Sequence, residues 1–307
     1  MIIRQAAFTG ENKKLLKGGL HCHTTRSDGK TTPEETIRQH AENGYDFLAI
    51  TDHRNYNFKN FAPETDVLIM PGMEMDGLIT SDDGMCFHVV SVGREEGVNG
   101  YAQDEKFQSH PAAHQEDFQC VVDDMIKNSN LAIYCHPDWS YTPARSFEKI
   151  KGFTAMEIWN SGCVIEDGLD EDNGLIWDEL LRGGQHIYAV ATDDGHEKHQ
   201  HCHGWVRVNA EKKISSVIEA LKNGAFYSST GPEIYDFYME DGTAHIKCSP
   251  VKWIKFHVGT RPLRLQKNEN GLITEASIKI PDTAAFVRVT VEDEKGMRAW
   301  TNPFFMR

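Results

Sequence analysis

The sequence predicts an α/β fold followed by a small antiparallel β domain. Three observations carry that expectation. A strand, a helix and a second strand follow one another with short links between Leu15 and Ile50, the signature of a βαβ unit. Apolar runs that read as strands end repeatedly in His, Asp or Glu, and in parallel α/β folds chemistry gathers at the carboxyl ends of strands. From Ile234 onward short alternating runs dominate, divided by turns such as Asp241-Gly242 and Asn270-Gly271, which is the pattern of an antiparallel β domain. The expected division is residues 1–225 for the first part and 226–307 for the second.

Taken in order, residues 1–14 read as an edge strand and a turn. Leu15 to Leu20 leads into His21-Cys22-His23. Side chains two apart on an extended chain point to one face, so both imidazoles can reach one ion. Asp28-Gly29 is a turn pair. Thr32-Pro33-Glu34-Glu35 starts a helix, with Thr as N-cap, Pro at N1 and Glu at N3, and Gly44 stops it. Tyr45 to Ile50 is a strand that runs into Thr51-Asp52-His53. Another strand, Asp66 to Met70, precedes Pro71-Gly72-Met73-Glu74. Cys86 to Val92 is a strand carrying His88, and the polar stretch Glu95 to His114 reads as an insertion or lid. A helix from Glu116 to Asn128 comes before the strand Leu131–Tyr134, which ends in Cys135-His136-Pro137-Asp138. Phe153 to Trp159 is a strand ending at Asn160-Ser161-Gly162. The helix Asn173–Leu181 precedes the strand His186–Val190, which ends in Thr192-Asp193-Asp194-Gly195-His196. Ser215 to Lys222 is a helix and Phe226 to Pro232 a linker. The β part holds strands at Ile234–Met239, Ala244–Cys248, Trp253–Val258, Ala276–Ile280 and Ala285–Val291.

Bulk properties narrow the function classes. Of 307 residues 39% are hydrophobic and 25% charged, ordinary for a globular protein with a sizeable core. The formal net charge of −14 disfavours duplex nucleic acid as a partner, since that needs a basic footprint. Seven cysteines with no CxxC pair read as reduced thiols rather than a disulfide framework. No signal peptide and no run long enough to span a membrane is read, so the expected location is the cytoplasm and no membrane partner is expected.

The ordered set HCHTTRSDG, ITDH, a Glu after a strand, CHPD and TDDGH resembles the PHP family, named for polymerase and histidinol phosphatase. The resemblance covers roughly residues 15–200, and the β tail is similar to that of carbaryl-type metallohydrolases. It implies a distorted (β/α)7 barrel with two to three divalent ions. By that resemblance His21, His23, Glu74 and an Asp of the last motif hold a first ion. Glu74 bridges to a second, shared with His88 and His136, and Asp28, His53 and His196 hold a third. Alignment on His196 makes Asp194 the ligand, the preferred choice, while alignment on the strand end makes it Asp193. Imidazole with carboxylate suits Zn, Mn or Fe.

Such a centre implies hydrolysis by a metal-bridging hydroxide, because bound water reaches a pKa of roughly 7. The implied substrate is a small, phosphorylated molecule: a phosphomonoester or a short nucleotide-like diester. Glu74, Asp52 and Arg54 are the candidate catalytic residues, Asp52 as an orienting partner of His53 or of a neighbour. Arg54, Arg145, Lys198 and His199 are candidates to clamp a phosphate, against a solvated surface role for each. Hydrolysis of an amide, carbamate or carboxylic ester is the first rival. A non-catalytic binding module and a polymerase proofreading module are further rivals. His201-Cys202-His203 reads as a loop near the site mouth, His110, His114, His245 and His257 as bland residues, and Trp159 and Trp205 as packing residues. Asn160 either faces the metals or opens a turn.

Overall fold

The computed structural model describes residues 2–9, 14–78, 86–93, 100–168 and 172–306. It is a mixed α/β protein with many strands and few helices. The chain runs through β1 (Ile2–Arg4), β2 (Leu16–Gly19), α1 (Pro33–Glu42), β3 (Phe47–Ala49), β4 (Leu68–Met70), β5 (Gly72–Leu78) and β6 (Cys86–Val92). Next come α2 (Gln119–Lys127), β7 (Leu131–Tyr134), α3 (Ala144–Phe147), β8 (Phe153–Asn160), α4 (Ser161–Asp167), α5 (Gly174–Arg182) and β9 (Tyr188–Thr192). The strand β10 (Trp205–Val208), the helix α6 (Ile214–Lys222) and the strand β11 (Phe226–Ser229) lead to the tail. The tail contains β12 (Ile234–Glu240), β13 (Thr243–Val251), β14 (Trp253–His257), β15 (Arg264–Gln266), β16 (Ile273–Lys279), β17 (Phe286–Glu292), β18 (Arg298–Thr301) and β19 (Phe304–Phe305).

Local chemistry explains α1. The Thr32 side chain accepts from Glu35 N–H at 3.3 Å and the Glu35 carboxylate accepts from Thr32 N–H at 3.0 Å, a reciprocal cap that satisfies two otherwise orphaned donors. Pro33 needs no N–H partner there. Gly44, at φ +73°, supplies the left-handed residue that ends the helix. The helix buries Thr36, Ile37 and His40.

Two sheet arcs carry the site. In one, β2, β3 and β4 run parallel and β10 joins β2 antiparallel. In the other, β5, β6 and β7 alternate in direction while β7, β8 and β9 run parallel. Phe47, Met70, Val90, Ile133, Val190 and Val206 pack in one buried cluster drawn from both arcs, each side chain contributing roughly 1.5–3 kcal/mol by leaving water. The arcs meet at Pro71, between β4 and β5, and again where Asp194 N–H donates to His21 O and His23 N–H to Gly195 O, both at 3.0 Å.

Strand and helix do not alternate regularly. No helix joins β4 to β5, because the chain passes through Pro71 directly into the next strand. β5 and β6 pair antiparallel from Gly72↔Val92 to Leu78↔Cys86, a pairing that needs no crossover helix. Glu74, read as following a strand, therefore sits inside one. The expected linker from Phe226 opens instead with β11, whose four residues are buried. Its polar side chains are satisfied internally: Ser228 Oγ donates to Ala189 O at 2.8 Å and Ser229 Oγ to Pro232 O at 2.7 Å, so polarity that reads as loop belongs to a buried strand.

In the tail, β1, β12, β13 and β16 form one sheet. It packs on β14, β17 and β18 around Phe237, Ile246, Val251, Phe256 and Val289. Because β18 pairs with β11 and β11 with β10, one ten-stranded sheet contains strands from β15 through to β4, and residue 226 lies within it. A buried polar cluster sits where α5 meets the tail. Arg288 Nε donates to Asp178 Oδ1 at 2.7 Å, His257 Nδ1 lies 3.0 Å from Asp178 Oδ2, and the guanidinium stacks 4.5 Å over Trp177. All seven cysteines are free thiols. Among the described residues no helix is long and apolar enough to cross a membrane.

Candidate metal centre

His21 and His23 follow β2 and alternate with Cys22, whose thiol turns away to Ala49 O at 3.4 Å. Both rings are buried and their Nε2 atoms lie 3.2 Å apart. Glu74 Oε2 is 3.3 Å from His21 Nε2 and 3.1 Å from His23 Nε2. Asp194 Oδ1 is 3.1 Å and 2.9 Å from the same two atoms. Four donors about 2.1 Å from a tetrahedral ion lie about 3.4 Å apart, and about 3.0 Å apart at octahedral corners. The spacing therefore fits a cation. Asp194 Oδ1 and His53 Nδ1 are buried without a hydrogen-bond partner, as atoms reserved for an ion would be.

Glu74 faces two ways. Its Oε2 also lies 3.1 Å from His53 Nδ1, while Oε1 lies 3.0 Å from His88 Nδ1 and 3.5 Å from His136 Nε2. A third group forms around the half-exposed Asp28, 3.5–3.6 Å from nitrogens of His23, His53 and His196. The structure thus brings together His21, His23, Asp28, His53, Glu74, His88, His136, Asp194 and His196. Asp193 points elsewhere: its carboxylate accepts backbone N–H bonds from Cys202 at 2.6 Å, Gly204 at 2.7 Å and His203 at 2.9 Å. Three site positions carry left-handed backbones without being glycine: Arg54 at φ +52°, His136 at +27° and Asp194 at +49°. Strain of this kind, of order 1–3 kcal/mol each, persists where the surroundings over-determine a functional geometry. Gly29 must lack a side chain, since a Cβ there would sit 2.6 Å from the His23 carbonyl carbon.

Asp52 serves the neighbouring loop rather than His53. It is buried and accepts from Thr24 N–H at 2.7 Å, Thr24 Oγ1 at 2.8 Å and Ser27 Oγ at 2.8 Å, which fixes the turn between His23 and Asp28. Arg54 is paired with Asp76, so its charge is already matched. Of the other clamp candidates, His199 lines the cleft above the cluster, and Arg145 and Lys198 are exposed outside its lining. That cleft holds about 610 Å³. Trp139 stands beside His136 and His88, with ring centroids 4.8 and 5.7 Å away. The stretch read as an insertion lies partly, at 95–99, outside the described residues. Its remainder straps the strand-end segment, with Tyr56 N–H to Glu105 O at 3.0 Å and Phe107 N–H to Arg54 O at 2.9 Å. Asn160 reaches the cluster and opens a helix: Nδ2 lies 3.1 Å from Asp194 Oδ2 and Oδ1 caps α4 at Cys163 N–H, 3.1 Å. Several residues escaped sequence reasoning, Trp139, Lys30 and Glu157 among them. Lys30 lines the cleft and nothing in its context marks it. Glu157 is wholly buried beside His21, and its signal was an acid alone in the apolar run Phe153–Trp159.

Residues 19–136 match the family model of the PHP domain. Over that segment the chain is similar to PHP domains. The match ends at His136, so Asp194 and His196 join the cluster from beyond the matched segment. DNA polymerase/3'-5' exonuclease PolX of Bacillus subtilis (strain 168) is 34% identical over 90 residues, which are 22% of this chain and 16% of that protein. The aligned part is thus about one sixth of that relative. Among solved structures, a two-domain protein of Bacteroides vulgatus ATCC 8482 containing a predicted PHP-like metal-dependent phosphoesterase is 14% identical. It covers 94% of this chain and 97% of its own, with a TM-score of 0.49. An amidohydrolase from Chromobacterium violaceum with bound sulfate is 15% identical over 59% of this chain and 88% of its own, with a TM-score of 0.43.

Electrostatics in the cluster favour a cation. Burial disfavours charge on His23, but the carboxylates of Asp194 and Glu74 outweigh it and raise the imidazole to about 10. Burial likewise opposes ionisation of Glu74, yet His53, His21 and His88 hold its carboxyl well below the usual range. Carboxylates that draw protons onto buried imidazoles would draw a divalent ion instead, releasing those protons.

Proposed function

We propose that this protein is a metal-dependent phosphoesterase that hydrolyses a small phosphomonoester or a short nucleotide-like phosphodiester. The observation that carries the reading is the two-faced Glu74 carboxylate, flanked by His21, His23 and Asp194 on one side and His88 and His136 on the other. Two or three ions of Zn, Mn or Fe fit donors of this kind, with Asp194 rather than Asp193 as the ligand. Bound there, divalent ions supply Lewis acidity and lower the pKa of coordinated water to roughly 7. The chain's own residues hold that donor set in place: Asp52 fixes the His23–Asp28 turn and the Arg54–Asp76 pair braces the strand end beside His53. The two arcs, joined at Pro71 and at the β2–β9 strand ends, support a distorted form of the seven-stranded β/α barrel.

The cleft wall adds a limit on substrate. Glu166, Asp167 and Glu197 line it, against Lys30 as a cation. Negative rims repel a second phosphate, which supports a small substrate over a polyanionic strand. The same wall supports a second reading, hydrolysis of an amide, carbamate or carboxylic ester, because no arginine lines the cleft among the described residues. The test is turnover by the Mn-reconstituted protein on phosphomonoesters, phosphodiesters, amides and carboxylic esters, with His23→Ala as blank. Phosphoester turnover that disappears in His23→Ala is the expected result. Turnover confined to carbon esters or amides would establish the second reading. Metal-loaded protein silent across the panel would refute both.

A further inference from the structure

We propose that Glu157, acting as a positioning residue, sets the affinity for the ions on both sides of Glu74, an inference that rests on the metal-centre reading above. Glu157 is the acid of β8 and is fully buried. Its Oε1 lies 2.7 Å from His21 Nδ1 and accepts from Thr192 Oγ1 at 2.6 Å. Its Oε2 accepts from His136 N–H at 2.8 Å and from Asn160 Nδ2 at 2.9 Å. That Asn160 amide also reaches Asp194 Oδ2 at 3.1 Å. One carboxylate therefore touches a donor residue of the first group through its ring and one of the second through its backbone. It reaches a third, Asp194, through Asn160.

The chemistry follows from which atoms can donate. With Oε1 accepting at His21 Nδ1, the ring proton is held there and the Nε2 lone pair faces His23, Glu74 and Asp194. The bond to His136 N–H holds that residue in its left-handed backbone, at φ +27°, and so holds the aim of its imidazole. A glutamine has the same shape but only one accepting atom. If its NH2 faced His136 N–H and the Asn160 amide, three donors would meet. If the NH2 turned toward His21, Nδ1 would have to accept, and the ring proton would move to Nε2, the nitrogen aimed at the ion. Either placement costs metal affinity.

The experiment is zinc titration of the metal-stripped full-length protein against a competing chelator, with melting of the metal-stripped forms measured in parallel. Glu157→Gln is expected to bind zinc 10–100-fold more weakly, with the loss confined to the equivalents on the two sides of Glu74 and larger than any fall in metal-free stability accounts for. A loss that tracks the metal-free melting temperature would instead mark a residue of general stability and overturn the proposal. So would unchanged zinc affinity. Should Glu157→Gln fail to fold, Asn160→Ala serves: it removes the donor shared by Glu157 and Asp194, and about a tenfold loss is expected, no loss being the overturning result. Wild-type protein that takes up no zinc would overturn this inference together with the metal-centre reading.

Discussion

Asp193 and Asp194 are adjacent, both buried, and do opposite things. The left-handed backbone at Asp194 aims its carboxylate at His21 and His23, while Asp193 collects three backbone N–H groups from residues 202–204. Asp194→Asn is expected to lose bound zinc without losing the fold. Asp193→Asn is expected to keep zinc and lose about 1–3 kcal/mol of stability, the cost of buried donors left unsatisfied. Chelator competition and thermal melting on the two variants check this, and equal zinc loss in both would refute the division of labour. No spacing rule could have separated the pair, because the loop that claims Asp193 arrives from ten residues downstream. Asp52 repeats the arrangement: an acid beside a donor histidine binds the loop of the other donors. The histidines themselves were legible, since strand ends place them by local periodicity. Glu157 was legible in principle, as an acid in an apolar strand that has no exposed face to put it on.

At the scale of elements, α5 is latched to β14 and β17 by Asp178, His257 and Arg288. Burial opposes charge on Asp178, but Arg288 and His257 outweigh it and hold its carboxyl at about 2 against an ordinary 3.8. Burial and Arg288 together press His257 down to about 4 from an ordinary 6.5. Both groups bind protons more readily unfolded than folded, so each contributes stability that is lost as pH falls. The window runs from about 6.5 to 4 for His257 and from about 4 to 2 for Asp178. Asp178→Asn should cost about 3–5 kcal/mol at neutral pH, because Arg288 is left buried without its partner, and should flatten the acid limb below pH 4. Melting temperature against pH for both proteins decides it; parallel curves would refute the assignment. Elements specified by their own residues were readable, α1 with its reciprocal cap above all. β5 was hidden because Pro71 reads as a break, and β11 because its serines find partners only once β9 and the Pro232 carbonyl are in place.

For the whole molecule, the continuous sheet makes the tail part of the platform that carries β2. Removing residues 233–307 would strip β18 from β11 and expose the cluster around Trp177. The truncated protein is expected in the insoluble fraction, or folded with a markedly lower melting temperature, as read by soluble yield and calorimetry. A truncated protein that melts like the full chain would refute that dependence. The sequence showed the change of character near residue 230, since alternation is local. The sheet crossing that point depends on pairings between distant strands. A distant pairing in the four-stranded sheet concerns the birth of the protein. β1 is held by β12, with Ile2 opposite Glu240 and Arg4 opposite Tyr238. At ribosomal rates of about 5–20 residues per second, that partner emerges roughly 10–50 s after β1 does. Through that interval Ile2 and Ile3 have no strand to lie against, and a segment made early waits for a partner made late.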